Sequence, residues 1–388
     1  MATTRDTTSD TPPASAAPPR WRLLATIVVM AGLGVGLGAA IGTLAKRTGV
    51  DVLGIRGVPA GQALAIVFAS LWGVIAVHEL GHLLAGLAQG NRFMLWAVGP
   101  VAITREGPAI RVRFNRRAEL WGGVAATLPP SSVDMRSNLL LVVAAGPVAS
   151  LLLTIGALLL IDADAPSVRL AAITLAATSF GVLLGTTLPA RTGAFFTDGA
   201  RIRMLLAGGA DAERWMTVTA LASGGMDGRP PAAWDATLLA RADALADDSL
   251  DGLMLHAMVM QHAVAMGDAP RAAQHGEALA RVMDTLAEPL KSWMAYDLLT
   301  WQALSGGPVP PVAEVEALAR RTPGLTPLGK ARTLAAVHLG AGALDAARAQ
   351  LAEGRRLAAA APASESATEG ALLDAIARTL DARAAVVA

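Results

Sequence analysis

The sequence predicts an all-α polytopic membrane domain of about four transmembrane helices with a membrane-associated β-hairpin, followed by a soluble α-helical domain. Three observations predict it. Long uncharged apolar runs fill residues 23–188 of a 388-residue chain that is 53% hydrophobic and only 16% charged, with a mean hydropathy of +0.47, too apolar for an ordinary soluble domain. One loop between these runs alternates charged and apolar residues with a period of two. From about residue 205 the charges return at regular spacing with helical periodicity.

Residues 1–20 are rich in Thr, Ala and Pro without apolar periodicity, so they cannot bury enough surface to order themselves and read as a disordered tail. Arg20 and Arg22 precede an uncharged segment over 23–45. It is long enough for a span of about 20 residues and longer than the apolar core of a signal peptide, which predicts an uncleaved anchor. Gly34, Gly38 and Gly42 line one face of it, where a neighbouring backbone could approach closely. Further spans are predicted over 62–88, 138–161 and 168–188, the last ended by Pro189, which lacks the N–H a continuing helix needs.

The loop over 90–137 carries Arg92, Arg105, Arg111, Arg113, Arg116, Arg117 and Arg136 against Glu106, Glu119 and Asp134, whereas the short link "DADAPS" between the last two spans has no basic residue. The positive-inside rule therefore places the loop, the N-terminal tail and the soluble part in the cytoplasm. Arginine far outnumbers lysine, which occurs only at Lys46, Lys291 and Lys330; this composition suits a GC-rich bacterium, and hence a multi-pass protein of the inner membrane. Within the loop, Arg111 and Arg113 alternate with Ile110, Val112 and Phe114 beside an "EGP" turn signal, which predicts a hairpin.

Beyond the spans, "GDAPRAAQHGEALARVM" from residue 267 resembles "GALDAARAQLAEGRRLAAA" from residue 342. Their offset is about two helix-hairpin units, which predicts a tetratricopeptide-like array and with it a surface for a cytoplasmic protein partner, with a plain helical bundle as the alternative. The organisation is then a tail at 1–20, a transmembrane domain at 21–205 and a cytoplasmic repeat-like helical domain at 206–388. The absence of cysteine removes disulfides and thiolate metal ligands. A net charge of +1 without a basic tract argues against nucleic acid.

The second span contains "HELGH". His78 and His82, four positions apart, lie about 40° from each other around a helix and project from one face, one turn apart. That spacing suits zinc, with Glu79 beside them as a base rather than a ligand. An ionisable group inside a span costs on the order of 3 kcal/mol and signals function; Glu79 is the only acid in the predicted spans. A catalytic zinc takes three protein ligands, so a carboxylate should complete the set. Asp198, following the last span on the same side, is the natural candidate, although its position would also suit a helix N-cap; Glu106, Glu119 and Asp134 rank below it. His256, His262, His275 and His338 lack metal spacing and read as surface or packing residues.

HExxH in a span, Gly146 and Pro147 in the next core span ("AAGPVAS"), and Pro189 followed by Asp198 and Gly199 resemble the site-2 proteases, the intramembrane zinc metalloproteases, over residues 60–205. The resemblance implies one Zn2+ per chain on His78, His82 and Asp198, with Glu79 as catalytic base, and cleavage within single-span membrane-protein substrates, as in regulated intramembrane proteolysis. It also implies that the hairpin presents substrate. Ser150 and Thr186 stand where the family often has Asn, and with Gly146 and Pro147 they are the candidates for substrate or oxyanion support. The stretch from Pro189 to Asp198 is longer than the family's tight form, and no PDZ-like insertion separates the last two spans. The rival reading is a non-catalytic membrane scaffold with a structural or decayed zinc site, recruiting partners through its helical domain. A lipid-cleaving zinc hydrolase is a third.

Overall fold

In a bilayer every backbone N–H and C=O must be satisfied within the segment, so long apolar runs fold as helices. The computed structural model describes residues 55–106, 109–115, 121–130, 133–192, 195–286, 290–322 and 325–387, and its elements lie in one compact unit, Gly57–Ala388. Among the described residues three helices are long and apolar enough to cross a membrane: α1 (Ala60–Ala88), α2 (Met135–Leu158) and α3 (Pro166–Thr187). They match the predicted spans to within three residues at either end. The predicted anchor over 23–45 and the tail over 1–20 lie outside the described residues.

Local chemistry sets the helix ends. Asp134 caps α2, its carboxylate accepting from the Arg136 N–H and the Ser137 hydroxyl. Pro166 occupies the first turn of α3, where a missing N–H costs nothing. The three helices pack mutually. At the α1–α2 contact Gly81 meets the backbone of Ala145 and the side chain of Ala149 so closely that a Cβ would stand 2.5 Å from the Ala145 carbonyl oxygen. The outer faces stay apolar and uncovered, with Leu64, Phe68 and Leu152 each at least 60% exposed; lipid is the natural solvent for such a surface.

Where one hairpin is predicted, the loop forms a four-stranded antiparallel sheet: β1 (Arg92–Val98), β2 (Val101–Glu106), β3 (Ala109–Phe114) and β4 (Val124–Leu128), in the order β3-β2-β1-β4. The predicted pair is β2–β3, registered Val101 to Phe114 and Glu106 to Ala109; the residues of its turn at 107–108 lie outside the described set. A second, tight turn at Gly99 and Pro100 joins β1 to β2, and Gly99 takes φ +52° there. The inner edge strand β4 packs on α1, where Gly86 leaves room for Thr127.

A two-stranded ribbon, β5 (Arg191–Thr192) with β6 (Phe195–Phe196), leads into helices that run to the end of the chain. These are α4 (Asp198–Ala207), α5 (Ala210–Met226), α6 (Ala236–Leu245), α7 (Leu250–Met266), α8 (Ala269–Val282), α9 (Leu290–Leu304), α10 (Val312–Arg321), α11 (Pro327–Gly340), α12 (Leu344–Ala360) and α13 (Ala363–Val387). The two similar segments noted in the sequence fall on α8 and α12. Each follows a turn containing a left-handed glycine, Gly267 (φ +75°) or Gly342 (φ +76°), that separates it from the helix before. A repeat array touches only its nearest neighbours. Here α13 returns across α5, α7, α11 and α12. It places Leu372 with Met260, Leu279 and Trp301, and Leu373 and Ile376 with Leu328, Leu339 and Leu351.

Candidate metal centre

On α1 the four-residue spacing stacks His78 and His82 edge to face, with ring centroids 4.9 Å apart. Each imidazole is held at Nδ1 by a different group of α2. His82 donates Nδ1–H to the Val142 carbonyl oxygen at 2.8 Å, and His78 Nδ1 lies 2.9 Å from the hydroxyl oxygen of the fully buried Ser150. These partners leave the Nε2 atoms facing each other at 3.3 Å. The rings fit only because residue 146 is glycine: a Cβ there would overlap His82 Nε2 and stand 2.9 Å from His78 Nε2.

Asp198 arrives from outside the spans, as the first residue of α4. Its alternative role as N-cap falls instead to Thr197, whose hydroxyl oxygen accepts from the Ala200 N–H. The Thr197 hydroxyl also donates to the Leu188 carbonyl oxygen at 2.8 Å, and Gly199 sits against the Thr187 carbonyl where any Cβ would overlap. The end of α3 thus seats the start of α4. The carboxylate then meets both rings, with Oδ2 3.1 Å from His78 Nε2 and Oδ1 3.5 Å from His82 Nε2.

Two donors on a tetrahedral zinc with bonds of about 2.0–2.1 Å lie about 3.3 Å apart. The two Nε2 atoms here are 3.3 Å apart, and the Asp198 carboxylate brings Oδ2 to 3.1 Å from one and Oδ1 to 3.5 Å from the other, so the group fits such an ion. The chemistry agrees: with Nδ1–H of His82 committed to Val142, its Nε2 presents a lone pair toward a second imidazole and a carboxylate, a convergence of donors that a cation satisfies. Among the described residues this is the one group of His and carboxylate side chains with metal-ligand geometry.

The family model for peptidase family M50 matches residues 66–321. The chain belongs to peptidase family M50, the site-2 protease family. No curated protein and no solved structure is a significant match.

M50 members are metalloproteases, and the remaining residues of this M50 chain take clear places around the three donors. Glu79 sits between the histidines in sequence and turns toward β4, where the Ala125 backbone amide faces its carboxylate. Gly123 leaves the room for this, since a Cβ there would stand 2.7 Å from Glu79 Oε1. For Asp198, burial pushes the carboxyl up, but hydrogen bonds to His78 and His82 outweigh it and hold it below its ordinary range.

The candidates for substrate support divide. Ser150 and Gly146 are in the site, but against the imidazoles. Pro147, inside α2, removes one helix N–H beside them. The Thr186 hydroxyl turns back to the Leu183 carbonyl oxygen of its own helix at 3.5 Å. Of the lower-ranked carboxylates, Asp134 is the α2 cap and Glu106 ends β2 beside Ala109; Glu119 lies outside the described residues. Sequence reasoning missed Gly123 and Arg201, and named Gly199 only as part of the Asp-Gly motif. "DG" at 198–199 was a signal for Gly199, whereas nothing local marks Gly123 or Arg201 as neighbours of the site.

Proposed function

We propose that the protein is an intramembrane zinc endopeptidase that cleaves the membrane-spanning segments of single-span membrane proteins. The observation that carries this reading is the convergence of His78, His82 and Asp198 at 3.1–3.5 Å, inside helices long enough to span a bilayer, with Glu79 alongside. Zinc, when bound, supplies Lewis acidity that polarises the scissile carbonyl and makes water a better nucleophile.

The chain's own groups do the rest. Val142 accepts from Nδ1–H of His82 and Ser150 faces Nδ1 of His78, so the Nε2 atom of each ring would be left to hold the ion. Glu79 takes a proton from the attacking water and passes it to the departing amine. Its neighbour β4 is the inner edge strand, paired with β1 alone among the described strands. A substrate helix shields its carbonyls in its own hydrogen bonds and must open to be cut; an extended segment added along β4 would keep its backbone satisfied beside Glu79. Peptide, rather than an acyl chain, has the backbone for such pairing.

The arginine-rich sheet and the helical region would then lie in the cytoplasm with an inner-membrane location, and the helical region offers a surface for a cytoplasmic partner. The test is zinc per chain in detergent-purified protein, with His78→Ala and Asp198→Ala beside the wild type. About one zinc in the wild type, lost or sharply weakened in both variants, is expected. A wild type without zinc under chelator-free conditions would favour the scaffold reading and end the protease one.

A further inference from the structure

Two of the three donors ride on a membrane helix, but Asp198 begins a separate helix of ten residues, and helices of that length take their orientation from tertiary contacts. Its seat on α3, through Thr197 and Gly199, holds only one end. At the other, Leu205 packs on Leu139 of α2, an apolar contact without directional preference. The directional contact lies between them, one turn after Asp198, at Arg201.

The Arg201 guanidinium lies over two aromatic rings, 4.4 Å from the centroid of Phe196 and 4.4 Å from that of Trp215. Its Nη1 meets Asp251 Oδ2 at 3.3 Å, in a pair whose side chains are only 17% and 16% exposed. A guanidinium held by two aromatic rings and paired with a carboxylate has little freedom. Phe196 belongs to the ribbon before α4, but Trp215 is on α5 and Asp251 is in the first turn of α7. The helical region therefore grips the helix that carries the third donor.

We propose that Arg201 is a positioning residue for the metal site, locking α4 so that Asp198 meets His78 and His82, and that Asp251 is the point at which the C-terminal helices act on that site. The inference rests on reading His78, His82 and Asp198 as the metal donors. An event that withdraws α7 frees the Arg201 edge, lets α4 turn about its seat on α3 and loosens the carboxylate. The helical region thereby regulates the metal centre without contributing a ligand.

Cobalt binding to the full chain in detergent tests this, through affinity and through the visible ligand-field absorption, which reports coordination geometry directly. Arg201→Ala is expected to weaken Co2+ binding about tenfold and to alter the band, with Arg201→Lys recovering part of the affinity because the charge returns without the stacking plane. Asp251→Asn should weaken binding less, and adding it to Arg201→Ala should change nothing further, since both remove one interaction. Arg214→Ala is the control for general damage: it removes a comparably buried arginine, paired with Asp211 and Asp247, that belongs to the same helices. Wild-type affinity and band in Arg201→Ala, or an equal loss in Arg214→Ala, overturns the proposal. If Arg201→Ala does not fold, the isosteric Asp251→Asn decides: weakened binding supports the linkage and unchanged binding refutes it. Failure of the metal reading has its own signature, namely His78→Ala binding cobalt as well as the wild type.

Discussion

Adding one methyl group at residue 146 should empty the metal site while leaving the fold intact. Gly146 lies inside α2, where Gly→Ala ordinarily stabilises a helix by about 1 kcal/mol, so backbone propensity works in favour of the variant. The new Cβ, however, would overlap His82 Nε2 and stand 2.9 Å from His78 Nε2, whereas ordinary contacts begin near 3.4 Å. His78 must give by about half an ångström and His82 by more, against a tolerance of about 0.2 Å in a zinc–ligand distance. Neither ring can swing freely, because Val142 and Ser150 hold the opposite nitrogens. Displacing both imidazoles should cost at least the upper end of what an outer-shell change costs, about 100-fold in zinc affinity, or about 2.7 kcal/mol. Zinc content and competitive chelator titration of the purified chain give the affinity, and a thermal melt checks the fold. Gly156→Ala, on the same helix with open space around it, should bind like the wild type. Wild-type zinc affinity in a folded Gly146→Ala would refute the placement of the two rings.

Three other outcomes are expected. Glu79→Gln should keep its zinc and lose cleavage of a single-span substrate in proteoliposomes by about 10²–10⁴-fold; loss of zinc instead would make Glu79 a ligand rather than a base. Ser150→Ala should leave the His78 ring without its buried partner and weaken zinc by about 10–100-fold, which equilibrium competition with a chelator measures; an unchanged affinity would mean that the hydroxyl does not orient the ring. In the helical region, His256 and His275 face each other with Nδ1 atoms 2.8 Å apart, and His275 Nε2 meets Asp243, itself paired with Arg271. Burial pushes both imidazoles below their ordinary 6.5, further lowered for His256 by His275 and Arg281 and opposed by Asp247 and Asp248, and opposed for His275 by Asp243. The folded chain then binds fewer protons than the unfolded one below that value, so stability is full above about pH 6.5 and falls as the pH drops through it. A thermal midpoint flat from pH 7 to 5, or a decline of the same slope in His256→Gln, would contradict this.

How legible these features were in the sequence depended on how local their causes are. The spans over α1, α2 and α3 follow from apolar length alone. His78 and His82 follow from the geometry of a single helix, which brings residues four apart together whatever surrounds them. Asp198 is 120 positions from His78; its nomination needed chain order and membrane sidedness, and its freedom from capping depended on Thr197 next door. The sheet was read as one hairpin because β1, "RFMLWAV", has no alternation to betray it, and β4, "VAATL", is short and made of small residues. Ser150 is nominated for substrate support by the family's frequent Asn at that place, whereas its contact with His78 depends on how α2 meets α1, a property of the packed pair in which Gly81 and Gly146 allow the close approach. The closure by α13 depends on contacts with helices far away along the chain, which no local repeat can announce.

The division of the donors between elements explains why the apolar helices and the helices after Thr187 form one compact unit. A site built wholly within the spans would place all its polar groups in lipid-facing helices, each costing on the order of 3 kcal/mol on insertion. Here α1 carries the imidazoles, and α2 supplies the inward polar groups that orient them. The negatively charged donor, Asp198, enters from α4, after the last span has ended at Thr187, so that Glu79 is the one acid the described spans carry. Insertion and metal assembly are thereby separable: the spans can pack around the imidazoles, with Ser150 against His78, Thr154 bonded to the Ser150 carbonyl of its own helix and Ser179 bonded to that carbonyl from α3. The site is complete only when α4 docks. Since α4 is held by Trp215 and Asp251 as well as by α3, the helices beyond residue 207 take part in completing a centre to which they contribute no ligand.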